Sequence, residues 1–197
     1  MPHPVTLIGP RLVLREFDRA DATALHTIYG DPVTTEHLSF EPRTAEQVLA
    51  ILDRIADAAA TEPRADYSLA VCLGDVDGEL IGMGRLALGK PDARGPSAGL
   101  DPAAASAGFG LAIGADRWHH GYGREALDLL LDYAFDTLGV EEVWGARGPA
   151  NQASKKLMER RGFTETITIK DHITKYGVFR DSIVHVLDTA DRFQSCH

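Results

Sequence analysis

The stretch of this chain best suited to chemistry is Arg117-Trp118-His119-His120-Gly121-Tyr122-Gly123-Arg124-Glu125-Ala126, which joins an apolar run at residues 108–113 to a long amphipathic segment. Gly121 and Gly123 have no Cβ, so the chain can turn tightly and bring a row of backbone N–H groups up to an oxyanion. A helix starting here points its unpaired N–H groups and the positive end of its dipole at the same spot, and Arg124 adds a formal charge. The pattern suits a phosphate. The same glycines also fit a plain strand-to-helix turn. Gly121-x-Gly123-x-x-Ala126 further matches a dinucleotide fingerprint, with Glu141 or Glu142 near the distance of an acidic ribose ligand.

The elements that position the loop bear on this choice. Residues 12–17 read as a strand, and residues 22–29 as a helix capped from 18–21 and stopped by Gly30-Asp31-Pro32. Thr44, Glu46 and Gln47 open a second helix, in which Val48, Leu49, Leu52 and Ile55 recur at helical spacing until the chain nears Pro63. Between these helices, residues 33–43 read as a polar loop containing Glu36 and His37. Residues 67–73 and 80–88 are apolar runs on either side of an Asp77-Gly78 turn, the signature of an antiparallel hairpin. Residues 89–107, rich in Gly, Pro, Ala and Ser without periodicity, read as a mobile excursion, either a lid or a disordered insertion. Past the glycine loop, Ala126, Leu127, Leu130, Leu131, Ala134, Phe135 and Leu138 share one helix face, and Gly139 ends it. Residues 140–146, 163–169 and 178–187 read as strands, with Asn151 capping a helix over 152–161 and the tail from 189 to 197 frayed. In a dinucleotide fold the first glycine follows its strand directly, whereas residues 114–120 intervene here and the upstream strands read as antiparallel. That rival recedes.

At 197 residues and 44% apolar content the chain suits one domain over 1–197, with a core of about 11–188. A formal charge of −9 argues against a surface that tracks nucleic acid and is compatible with a cationic or amine substrate. The opening Met1-Pro2-His3-Pro4-Val5 has no signal-peptide character and nowhere do about 18 apolar residues run together, so the expected location is cytoplasmic, with no membrane partner. Cys72 and Cys196 are too few and too far apart for a zinc site or disulfide framework, and no metal is expected.

Four stretches together resemble the GNAT acetyltransferases, in particular the branch of ribosomal-protein N-terminal acetyltransferases. The loop around Gly121 and Gly123 is similar to the family's Q/R-x-x-G-x-G/A acyl-CoA signature, and Arg11-Leu12-Val13-Leu14-Arg15 to its opening strand. Asn151, Ser154, Leu157, Glu159 and Gly162-Phe163 resemble its N-x-x-S-x-x-L-x-E-x-x-G-F motif, and Trp118 stands where this branch often has Trp. The resemblance implies an α/β (α+β) domain whose mixed, mostly antiparallel sheet of about six to seven strands splays between its fourth and fifth strands, flanked by about four helices. It implies acetyl-CoA as co-substrate, held by Leu111, Ala112, Ile113, Trp118, His119, His120, Gly121, Tyr122, Gly123, Arg124, Asn151 and Ser154. Pantetheine would pair with the splayed edge at 111–113 and touch Asn151, for which a role as helix cap is equally open. An amine would attack the acetyl carbonyl directly, a backbone N–H near 111–113 would stabilise the oxyanion, and Ser154 would protonate the leaving thiolate.

Two positions depart from the family: Met158 stands where many relatives have an acidic Tyr, and Gly108 where many in this branch have a Glu base. Glu36, His37, Asp101 and His172, all read as loop residues, are the candidate replacement bases. The acceptor is a small-molecule amine or a peptide N-terminus, homodimerisation stays open, and a catalytically silent acyl-CoA sensor is the alternative.

Overall fold

The structure is a computed structural model that describes residues 4–90 and 100–192. The central strands are near-continuous apolar runs, which gives the sheet two buried faces. Leu12, Leu14, Leu69, Val71, Ile81 and Leu86 point to one, and Ala70, Cys72, Leu80 and Met83 to the other. In chain order the elements are β1 (Thr6–Ile8), β2 (Leu12–Glu16), α1 (Ala22–Tyr29), α2 (Pro32–Thr35), α3 (Ala45–Ala60), β3 (Asp66–Leu73) and β4 (Leu80–Leu88). They continue as β5 (Ser106–Ile113), α4 (Tyr122–Asp132), β6 (Glu142–Arg147), α5 (Gln152–Glu159), β7 (Thr164–Lys175) and β8 (Val178–Asp188). Helices α1 and α3 cover the face holding Met83 and Ala112, while α4 and Met158 of α5 pack on the other.

All eight strands form one sheet in the order β1-β2-β3-β4-β5-β6-β8-β7, antiparallel except for β5 and β6. The expected six to seven strands are therefore eight among the described residues, and the expected four helices are five. The extra strand, β1, is three residues long and rests on β2 with Leu7 opposite Leu14, too short to show a period in the sequence. It moves the split of the sheet from the fourth and fifth strands to the fifth and sixth.

The extra helix hides in the apparent stop signal at Gly30-Asp31-Pro32. Asp31 accepts from the N–H groups of Val33 and Thr34, at 3.1 and 2.9 Å, and Pro32 takes the first helical position, where a missing N–H costs nothing. The 33–43 stretch thus begins as a helical turn with Thr34 and Thr35 buried. At the start of the tail, Thr189 Oγ1 donates to the Glu141 carbonyl at 2.9 Å and Arg192 is ion-paired with Asp132 and Asp136 at 2.6 Å each, while residues 193–197 lie outside the described residues.

Strand β5 begins at Ser106, inside the stretch expected to be an excursion. Residues 91–99, the centre of that expectation, lie outside the described residues, as does Cys196. Cys72 is a free, buried thiol, and burial pushes its pKa up, in keeping with an inert core residue.

Candidate active site

Strands β5 and β6 are paired only from Ser106 opposite Glu142 to Phe109 opposite Gly145. Beyond that point β5 stays with β4, with Gly110 to Ile113 opposite Arg85 to Gly82, and β6 stays with β8, with Ala146 opposite Val184. The result is a wedge open towards the glycine loop. Its closed end is filled by aromatic rings lying over glycines of the opposite strand. A Cβ on Gly145 would stand 2.3 Å from the Phe109 ring, and one on Gly108 would stand 2.4 Å from the Trp144 indole. Phe109 meets Phe163 edge-on at 5.5 Å, and the Trp144 N–H donates to the Gly89 carbonyl at 2.9 Å.

The unpaired edge of β5 offers a short row of backbone groups. Gly114 N–H donates to Ile81 O in β4, so by alternation along the strand the N–H groups of Leu111 and Ile113 point away from β4, into the wedge. The Trp118 indole N–H donates to Ile113 O at 2.8 Å, which takes up one acceptor on that edge and fixes the chain as it leaves the strand. Leu111 keeps both its N–H and its carbonyl open to the wedge.

The glycine loop closes over the wide end. His119 has φ 66° and Gly121 φ 81°, so two residues in left-handed conformation turn the chain sharply, and the glycine bears no strain there. Among the described residues the N–H groups of Gly121, Tyr122 and Gly123 have no backbone partner, as the first turn of a helix requires. A side chain at 123 would point at Leu111 Cδ2 and Ile113 Cγ1, 3.8 and 4.0 Å away, so Gly123 leaves open the space between loop and strand edge. This cradle of amides beside an open strand edge fits a pyrophosphate followed by an amide-bearing arm.

Two residues that sequence reasoning left without a role hold the loop in place. Glu125 accepts from the N–H groups of Arg11 and Leu12, at 2.7 and 3.0 Å, and from Arg11 Nε at 2.8 Å. Arg11 also donates to the His120 carbonyl and lies 4.9 Å over the Tyr122 ring, which stacks on His120. The only signal for this was the pairing of an opening Arg with a first-turn Glu far along the chain.

On the β6 side of the wedge, Asn151 Oδ1 accepts from Ser154 N–H at 3.0 Å, so its oxygen caps α5 and its amide N–H₂ remains to donate. Ser154 sits half-buried in the first turn of α5. Met158, one turn on, is fully buried, and its sulfur packs at Gly145. It belongs to the core, not to the wedge.

The candidate bases separate. Glu36 and His37 follow α2, which spans the wide end of the wedge: Thr34 Oγ1 accepts from Ala115 N–H at 2.9 Å on the β5 side. On the other side, Lys175 at the end of β7 donates to the carbonyls of Thr35 and Glu36 at 2.5 and 3.0 Å. Lys175 is 2% exposed, and burial, reinforced by Arg180, lowers its pKa. Asp101 lies at the closed end, where its N–H donates to Leu88 O and its carboxylate accepts from Ala103 N–H. His172, expected in a loop, is in β7. That strand runs on through polar residues 170–172 by way of a bulge, in which Asp171 takes φ 52° and the Asp181 carboxylate holds Lys170 and the Asp171 N–H.

Among known proteins, the sequence profile of the Acetyltransferase (GNAT) domain matches residues 11–164. An uncharacterized N-acetyltransferase of Bacillus licheniformis is 26% identical over 168 residues, covering 85% of this chain and 86% of that one. A GNAT-family acetyltransferase structure from Bacillus anthracis superposes with a TM-score of 0.72 at 17% identity, covering 93% and 98% of the two chains. The spermidine N-acetyltransferase of Vibrio cholerae, solved with CoA and spermine, does so with 0.74 at 18% identity, covering 94% and 99%. With the splayed sheet and the family profile in agreement, the chain belongs to the GNAT family of acetyl-CoA-dependent N-acetyltransferases.

Proposed function

We propose that this chain carries the acetyl group of acetyl-CoA to the primary amine of a small molecule, with a peptide N-terminus as the second acceptor class. The observation that carries the reading is the wedge between β5 and β6, open at one end onto the amides of residues 121–123 and lined by the free edge of residues 111–113. The pyrophosphate is held by those amides with Arg124 alongside, and the pantetheine arm donates to the Leu111 carbonyl and accepts from the Asn151 amide, which leaves the Leu111 N–H for the reacting carbonyl. Trp118, His119, His120 and Tyr122 shape the loop, while Ala112 faces the opposite, α1 side of the sheet.

The amine enters beneath α2 and attacks the carbonyl carbon of the thioester. The Leu111 N–H donates to the developing oxyanion, and Ser154 Oγ gives its proton to the departing thiolate. The proton lost by the amine leaves on the α2 side, where Glu36 and His37 stand. Asp101 and His172 are weaker choices: one carboxylate is committed to a turn, and both imidazole nitrogens of the other are buried without a partner among the described residues.

The test is thiol release from acetyl-CoA by the purified protein against polyamines, amino acids, aminoglycosides and short peptides with free N-termini. Release with one class names the acceptor. Silence across the panel, with CoA still bound in calorimetry, would favour the non-catalytic acyl-CoA sensor instead.

A further inference from the structure

The end of β6 carries a buried polar cluster that the acetyl-transfer steps above do not use. Arg147 is 5% exposed, and its guanidinium is engaged on every side. Nε donates to His185 Nε2 at 3.0 Å, Nη1 to the carbonyls of Gly148 and Pro149 at 3.3 Å each, and Nη2 to Glu165 at 3.2 Å. Register puts the three side chains on one face of the sheet: His185 is opposite Gly145 and Glu165, and Arg147 lies two residues beyond Gly145. Because arginine only donates, His185 Nε2 must accept, which leaves the imidazole proton on Nδ1. His185 is completely buried, and burial, then Arg147, hold its pKa below the ordinary histidine value against the opposing pull of Glu165. The ring is thus neutral and fit to go on accepting.

A buried guanidinium is costly, and an apolar residue would fill this space more cheaply. What the cluster holds is the connector into α5. The Gly148 and Pro149 carbonyls are gripped by Arg147, Asn151 N–H donates back to Gly148 O at 3.0 Å, and Asn151 in turn fixes Ser154. We propose that Arg147, seated on a neutral His185, is the positioning residue that aims Asn151 and Ser154 at the pantetheine arm and thioester of acyl-CoA. The proposal rests on the reading of the wedge as the acyl-CoA site. It assigns the cluster to the pantetheine half of the ligand and not to the pyrophosphate half, which binds at the glycine loop on another element.

Calorimetric titration of the full chain with CoA and with adenosine 5′-diphosphate, which keeps the pyrophosphate and lacks pantetheine, separates the two halves. Arg147→Lys keeps the charge and loses the fork. Its CoA affinity should fall by about tenfold or more while its adenosine diphosphate affinity stays within about twofold of the parent. His185→Phe, which removes the acceptor without touching the connector, should show the same ligand-selective loss. His185→Gln, whose amide oxygen can accept from Arg147, should restore CoA affinity. Parent-like CoA binding by Arg147→Lys or by His185→Phe overturns the proposal, as does an equal loss of both ligands, which would mark a general structural role. A parent protein that binds neither ligand overturns the acyl-CoA reading of the wedge itself.

Discussion

Replacing Gly123 by alanine separates the folding role of the glycine loop from its binding role. Gly123 is the second residue of α4, outside the left-handed region, and an added Cβ would meet only Leu111 Cδ2 at 3.8 Å and Ile113 Cγ1 at 4.0 Å. Alanine is the better helix residue by about 0.5–1 kcal/mol. For a domain of this size that raises the Tm by about 1–4 °C. The same methyl group stands between the amide row and the open edge of β5, where the ligand must pass. If it costs one charge-assisted hydrogen bond, about 1.5–3 kcal/mol, the Kd for CoA rises by about 10- to 150-fold. Thermal melts and calorimetry on the same sample read both quantities. An unchanged Kd with a raised Tm would remove residue 123 from the cradle, and a lowered Tm would refute the claim that its space is open. Gly121→Ala is the contrast, because φ 81° places alanine in the left-handed region at a cost of about 1–2 kcal/mol.

If the Ser154 hydroxyl acts only as the thiolate leaves, as proposed, Ser154→Ala should lower kcat by about tenfold or more while CoA affinity stays within about twofold. Equal turnover would leave Ser154 as a helix residue alone. Lys175→Met strips the carbonyls of residues 35, 36 and 38 of a charged donor. Its Tm should fall by about 3–12 °C for a loss of about 1.5–3 kcal/mol. If the amine enters beneath α2, as proposed, the KM for the acceptor should rise and that for acetyl-CoA hold; a rise confined to acetyl-CoA would contradict that placement. Gly108→Glu, which restores the carboxylate common in relatives, drives its Cβ into the Trp144 indole at 2.4 Å. It should destabilise by about 1–3 kcal/mol without raising turnover, and a faster enzyme would show that the wedge tolerates the carboxylate after all.

Where local chemistry dictates local structure, the fold was legible. The Thr44 capping box, with Gln47 reaching back, starts α3, and β3 and β4 pair as the expected hairpin, although through a turn over 75–78 that follows a left-handed Gly74 and not through an Asp77-Gly78 turn. The glycine loop was legible for the same reason, since only a residue without a Cβ serves both the turn and the approach of a ligand. Partnerships between distant residues stayed hidden. Nothing along the chain shows that Trp144 belongs over Gly108, or that Arg147 finds His185 across two strands, because those pairs arise from sheet register. His172 was misplaced for a related reason: polar residues 170–172 look like a loop until the bulge and the Asp181 carboxylate satisfy them within a strand.

The two departures from the family acquire a physical sense once register is known. Trp144 fills the place of a carboxylate on β5, and Met158 is committed to the core, so neither usual proton carrier can work from its usual position. What remains sits on separate elements. Ser154 belongs to α5, on the β6 side, while Glu36 and His37 belong to the stretch that Thr34 and Lys175 tie to both sides of the wide end. On the proposed mechanism, proton removal from the amine and proton delivery to sulfur fall to elements with no shared hydrogen bond among the described residues. Groups so separated act additively. In the double variant Ser154→Ala/Lys175→Met the losses in kcat/KM should multiply, with a coupling below about 0.5 kcal/mol. A coupling of several times that size would mean that one relay serves both ends of the reaction, and the division between the two elements would have to be abandoned.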